Sequence, residues 1–299
     1  MPVRVGTAEA GGTFHSQGVA LKHMLEAGVV DAVEIVATEG ASIGNANLLG
    51  AGALDFGFMA ANWVGRAQRG EPPFAGPLAL RVAAPMNAGP IFFITRAESP
   101  LFGITELRGR RVAVGREGTG MVEHAHSILD AIGLGFAQIE PVYLDFAAGA
   151  EALVSGEVDA QLQCPLPNQV MSDLMQRIAV RPLFYRMNEL HHVLERVPHY
   201  RGTMLSRSVF PAMEEDLPQV AVVNLLMTHA GAAAKLVSDV ADAVYQRGAM
   251  LAAANPLFAG LPLLYEPLRG QGAAGLSFDG VPLHEAALQI YRARGLVGR

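Results

Sequence analysis

The chain has 299 residues, 51% of them hydrophobic, and a net charge of −6 from 22 basic and 28 acidic side chains. That much apolar material can build a sizeable core, which excludes disorder. The acidic balance and the scattered Lys and Arg argue against a nucleic-acid or anionic-membrane surface. With Cys164 the only cysteine there is no internal disulfide, and no window approaches 18 consecutive apolar residues, so no spanning helix is expected.

A first strand at Val3 to Gly6 leaves no place for a signal peptide within this sequence. Two readings of location follow: a cytoplasmic protein, or one whose export signal has been removed. A glycine loop (Gly11, Gly12) then leads into a helix from about Thr13 to Ala27, whose Phe14, Leu21, Met24 and Leu25 make one apolar face. A strand at Val33 to Thr38, a short helix from about Ser42 and a strand at Leu54 to Met59 follow. "PIFFITR", Pro90 to Arg96, reads as the strand leaving this first lobe.

The middle of the chain repeats the pattern. A strand at Val112 to Gly115 meets a loop closed by Gly118 and Gly120, and a helix carries Met121, Val122, Ala125, Ile128, Leu129 and Ile132 on one side. Ile139 to Leu144, about Ala147 to Ser155, and Val158 to Gln163 supply strand, helix and strand. "LLGAGALDFGFMAAN" runs parallel to "ALVSGEVDAQLQCPLPN", which puts Asp55 and Asp159 in the same place, as turn residues and not catalysts. "PQVAVVNLL", Pro218 to Leu226, reads as the return strand, and the tail from about Gly231 as helices packed on the first lobe.

Two βαβαβ units make an α/β chain of two lobes: 1–92 with 220–299, and 93–219. Right-handed crossovers place both glycine loops at the carboxyl ends of their strands, where open parallel sheets take their ligands. Two crossings make a hinge, and a cleft between such lobes closes on its ligand.

The candidate ligand contacts follow from that geometry. Gly11, Gly12 and Thr13 in the first loop match Gly118, Thr119 and Gly120 in the second, as a paired anion site at helix N-termini, and Phe14 beside the first loop is a further ligand-contact candidate. Neither GxGxxG nor GxxxxGK[ST] occurs, so a nucleotide phosphate is disfavoured. Arg116 stands near enough to help, although a solvated state is the simpler reading. "GASIG", Gly40 to Gly44, has the G-x-S-x-G spacing, yet no His stands in a triad context. Ser42 reads more simply as a helix cap, and its hydroxyl with the Asn45 amide offers neutral contacts. Asn62 and Trp63 end the third strand, and Trp63 is read either as cover for a ligand's apolar body or as a core anchor. Their counterparts are Pro165, Pro167 and Asn168; Gln163 and Asn168 are amides suited to a polar end, and Tyr200 is a further candidate on the hinge side. Glu9 and Glu39 could meet an amino group. His124, His126, His191 and His192 show no ligand or triad spacing, and Met171 and Met175 read as core. No catalytic residue, metal or cofactor is expected.

Four segments in order resemble the TAXI solute receptors of tripartite ATP-independent (TRAP) transporters. "VGTAEAGGTF" is similar to that family's opening glycine loop, and "ATEGASIGNANLLGAGALDFGFMAAN" to its second segment. "ELRGRRVAVGREGTG" resembles its "DLKGKRV…G..GSG" segment, and "GVPLHEAALQIYRARG" its closing "PLHPGA…YY…G". The resemblance implies a type II periplasmic-binding-protein fold, capture of a small organic acid or amino acid, and delivery to TRAP-type permease subunits outside the cytoplasm by a monomeric receptor. The alternatives are an enzyme on the same lobes, Ser- or His-dependent, and a cytoplasmic ligand-sensing domain.

Overall fold

The computed structural model describes residues 2–10, 12–163, 166 and 168–298. In chain order its elements begin with β1 (Val3–Gly6), α1 (Thr13–Glu26), β2 (Val33–Val36), α2 (Ser42–Gly50), β3 (Phe56–Ala60), α3 (Ala61–Arg69) and β4 (Leu80–Arg96). There follow β5 (Arg111–Ala113), α4 (Gly120–Ala131), β6 (Glu140–Val142), α5 (Phe146–Ser155), β7 (Ala160–Gln163), α6 (Gln169–Arg177), β8 (Val180–Pro182), α7 (Met187–Arg196) and β9 (Tyr200–Leu205). The chain ends with β10 (Leu217–His229) and the helices α8 (Ala234–Gln246), α9 (Gly248–Ala254), α10 (Glu266–Gln271) and α11 (Glu285–Ala293). Among the described residues, no helix is long and apolar enough to cross a membrane.

The chain divides into two compact units, Met1–Ala88 with Val223–Arg299, and Gly89–Val222. In the first, β1 pairs in parallel with β2 and β3, and β10 adds antiparallel to β3. Strand-forming Val and Phe residues line up here because both faces are covered: Val5, Phe56, Phe58, Leu21 and Leu49 are fully buried. The tail closes this unit. Arg247 donates to the Met24 and Ala27 carbonyls at the end of α1, where cations complement the helix dipole, and the Tyr291 hydroxyl donates to Ala83 O.

In the second unit β5 pairs in parallel with β6 and β7, while β4 runs antiparallel to β7 and β8. β9 pairs antiparallel with the first part of β10. Phe92, Ile94, Leu153, Met171 and Phe210 make its core, with Met175 packed against it.

The internal repeat extends to single hydrogen bonds. In the first unit the Asp55 carboxylate accepts from the Arg4 N–H at 2.8 Å, the Arg4 guanidinium donates to Gly52 O at 3.0 Å, and the Thr228 hydroxyl donates to Asp55 O at 2.8 Å. In the second the Asp159 carboxylate accepts from the Arg111 N–H at 2.9 Å, the Arg111 guanidinium donates to Gly156 O at 2.9 Å, and the Thr95 hydroxyl donates to Asp159 O at 2.8 Å. Both aspartates therefore clamp the start of one strand to the start of its neighbour. Gly52 and Gly156 have φ of +68° and +81°, the left-handed conformation that lets each helix stop before the clamp.

Candidate functional site

Because β1, β2 and β3 are parallel, α1, α2 and α3 all begin at one edge of the first unit. β5, β6 and β7 place the starts of α4, α5 and α6 at one edge of the second in the same way. Each edge thus gathers helix N-termini, and each N-terminus offers about 0.3–1 kcal/mol to an anion.

The α1 start is not capped by any side chain. Gly12 is the cap by position, and its carbonyl takes the first helical bond from the Ser16 N–H, so the amides of Thr13, Phe14 and His15 precede the ladder. Phe14 is half-buried and stacks on Phe58 with ring centroids 5.5 Å apart, which anchors the loop's exit. Gly11 lies outside the described residues.

In the second unit the Thr119 hydroxyl donates to Arg116 O at 2.6 Å, so it is not used as a cap and the α4 start is also open. The turn from Arg116 to Thr119 is closed by the Thr119 N–H on the same carbonyl, with Gly118 at φ +75°. Gly120 is half-buried, and the Arg116 side chain is exposed.

Several expected contacts take other roles. Asn45 is fully buried: its Nδ2 donates to Thr7 O at 2.7 Å and Phe58 O at 2.8 Å, and its Oδ1 accepts from Thr38 Oγ1 at 2.8 Å. It joins the ends of three strands and has no amide atom left for a solute. Ser42 does not cap α2, whose cap position is Ala41; its hydroxyl accepts from the Ala60 N–H at 3.0 Å instead. Asn62 and Trp63 do not end a strand but form the first turn of α3. Trp63 is half-buried, edge-on to Phe74 at 6.4 Å, and Asn62 Oδ1 is shielded without a hydrogen-bond partner. Asn168 caps α6 through the Met171 N–H at 2.8 Å. Tyr200 is buried, and its hydroxyl meets His124 Nδ1 at 2.7 Å. Burial, and then the neighbouring His199, lowers the His124 pKa to about 3, so this imidazole is neutral and structural. Glu9 and Glu39 are exposed.

Gln163 stands apart. It closes β7 fully buried, and neither atom of its carboxamide has a hydrogen-bond partner. Cys164, Pro165 and Pro167 beyond it lie outside the described residues. Among the described residues no group of three or more His, Cys, Asp or Glu could hold a metal ion.

The residues that sequence reasoning missed are Gln17, Asn87 and Asn224. All three are buried, and Gln17 and Asn224 both donate to Asn87 Oδ1. Their signal was a polar residue on an otherwise apolar stripe: Gln17 between Phe14 and Leu21 of α1, Asn87 and Asn224 inside the apolar strands β4 and β10.

Known proteins share this arrangement of strands and helices. The chain is similar to the periplasmic aliphatic sulphonate binding protein SsuA from Escherichia coli, with a TM-score of 0.50 and 20% identity over 99% of this chain and 84% of that one. A periplasmic sulfonate-binding protein from Methylobacillus flagellatus gives a TM-score of 0.55 at 15% identity, over 99% and 88% of the two chains. A TctC solute binding protein from Polaromonas gives 0.56 at 16% identity, over 87% and 88%. The fold is therefore the α/β periplasmic-binding-protein-like fold. With residues 5–295 matched by its sequence pattern, the chain belongs to the NMT1-like family.

Proposed function

We propose that this chain is an extracytoplasmic solute receptor. It captures a small carboxylate-bearing solute, an organic acid or an amino acid, with the loop edges of its two lobes (1–92 with 220–299, and 93–219), and closure about the two crossings retains it. It makes and breaks no bond. The observation that carries this reading is the duplicated glycine loop: two helices, α1 and α4, each start without a side-chain cap at the carboxyl edge of a parallel sheet. Charge-assisted hydrogen bonds contribute roughly 1.5–3 kcal/mol apiece, and micromolar binding needs about 8 kcal/mol. Two or three such bonds with burial of the solute reach that sum without a buried arginine. Gln163 supplies a neutral amide with unused donor and acceptor.

The similar solved structures include proteins described as binding sulphonates, which are also organic anions, and this supports an anionic solute. The ordered motifs resembling the TAXI receptors support delivery to a TRAP-type permease. A thermal-shift screen tests the reading. A carboxylate at 100 times its Kd stabilises the fold by about 2.7 kcal/mol. Alkanesulfonates, amino acids, neutral sugars and nucleotides form the other arms. The reading is wrong if sugars or nucleotides raise the melting temperature and no carboxylate does.

A further inference from the structure

Three carboxamides meet inside the first unit, from α1, β4 and β10. Gln17 Nε2 donates to Asn87 Oδ1 at 2.9 Å, and Asn224 Nδ2 donates to the same oxygen at 3.1 Å. Their exposures are 0% for Gln17, 1% for Asn87 and 6% for Asn224. The shared acceptor leaves Asn87 Nδ2 and Gln17 Oε1 buried with no hydrogen-bond partner. Buried polar groups are nearly always satisfied, so an unpaired donor and an unpaired acceptor on two side chains that are hydrogen-bonded to each other mark a place for a missing group.

The chemistry of that group is constrained. A carboxylate accepts only, an ammonium donates only, and a methylene does neither. A hydroxyl both donates and accepts, so it is the group that can answer either atom. The position is constrained as well. Gln17 follows Thr13 by four residues on α1, so both face the same way, one turn of about 5.4 Å apart. The open amides of the α1 start therefore lie one turn from the triad.

We propose that the triad of Gln17, Asn87 and Asn224 reads a hydroxyl on the solute, a few bonds from the carboxylate held at the α1 start, which makes the substrate class a hydroxy acid. This rests on the receptor reading above and refines it. A trapped water would satisfy the same two atoms but would give no preference among solutes.

Calorimetric titration of matched pairs tests it: lactate with propionate, malate with succinate, 2-hydroxyglutarate with glutarate. At least one hydroxylated member binds about 10–100-fold tighter than its partner, because the plain acid leaves a buried donor and acceptor unpaired. Gln17→Met keeps the volume and removes the amide, and Asn87→Leu does the same on β4. In either folded variant, with folding checked by circular dichroism and melting, that ratio falls to about one. Gln17→Met suffices if Asn87→Leu does not fold. Equal binding within every pair by the parent, or a ratio that survives in folded Gln17→Met, overturns the triad assignment and leaves the receptor standing. If none of these acids binds, with or without a hydroxyl, the hydroxy-acid assignment fails, and the thermal-shift screen decides the receptor reading separately.

Discussion

Replacing Asn45 separates a structural amide from a ligand contact. Its side chain is wholly enclosed and makes hydrogen bonds to Thr7 O, Phe58 O and Thr38 Oγ1, all between 2.7 and 2.8 Å. In Asn45→Ala the single proton of the Thr38 hydroxyl, no longer shared with Asn45 Oδ1, goes wholly to Thr7 O at 2.8 Å, so neither of those groups is orphaned. Phe58 O loses its amide donor, which costs about 1–3 kcal/mol for a buried carbonyl. The missing carboxamide also leaves a gap against Gly6 and Gly57, whose lack of side chains made room for it. With that cavity the total is about 3 kcal/mol. A loss of this size lowers the melting temperature by about 5 °C in a chain of this length. Asn45→Asp is worse at neutral pH, since a carboxylate faces carbonyl oxygens and donates nothing. Its folded-state pKa is raised, so the native state holds a proton that the unfolded chain has released, and stability falls as pH rises above about 4. Melting curves of both variants at pH 5 and pH 8 provide the assay. If Asn45→Ala melts within 1 °C of the parent yet weakens solute binding, Asn45 is a ligand contact and its structural role is refuted. An Asp variant that gains stability toward pH 8 refutes the electrostatic argument.

Three further outcomes are expected. The His124 pKa, lowered to about 3 by burial and His199, means that the unfolded chain gains a proton near pH 6.5 that the native state refuses. Stability therefore falls as pH drops below 6.5. His124→Gln, which keeps a partner for Tyr200, gains about 2 kcal/mol relative to the parent between pH 7.5 and pH 5 in denaturant titrations. Partial burial raises the Asp159 pKa, but hydrogen bonds from the Arg111 amide and guanidinium outweigh it and hold the carboxyl below its usual range. Its contribution is present above the unfolded pKa and is lost as pH falls through the folded one. Asp159→Asn thus costs about 1 kcal/mol at pH 7, and its melting curve converges with the parent's as pH falls below the usual carboxylate range. Ala41 has φ +45°, in the left-handed region that a side chain disfavours; Ala41→Gly relieves about 1 kcal/mol of strain and raises the melting temperature by about 1–2 °C.

The α/β class and the duplicated loops were legible in the residue order because their signals are local. Glycines that must adopt positive φ, a 3.6-residue apolar period in α1 and α4, and Asp55 and Asp159 at matching offsets all act within a few residues of themselves. The direction a polar side chain faces was not legible in the same way. Asn45 sits on a nine-residue helix whose apolar stripe is too weak to say which side turns inward, and only the packing of β1, β2 and β3 drew its amide into their midst. Asn62 and Trp63 moved from strand end to helix start because β3 stops at Ala60, a boundary that an unbroken apolar run does not mark. The Gln17, Asn87 and Asn224 cluster joins positions 70 and 137 residues apart in sequence. Each amide is a lone polar residue in an apolar stripe, and nothing local to it announces the other two. Burial then forced the three amides to find one another, since water was no longer there to meet them.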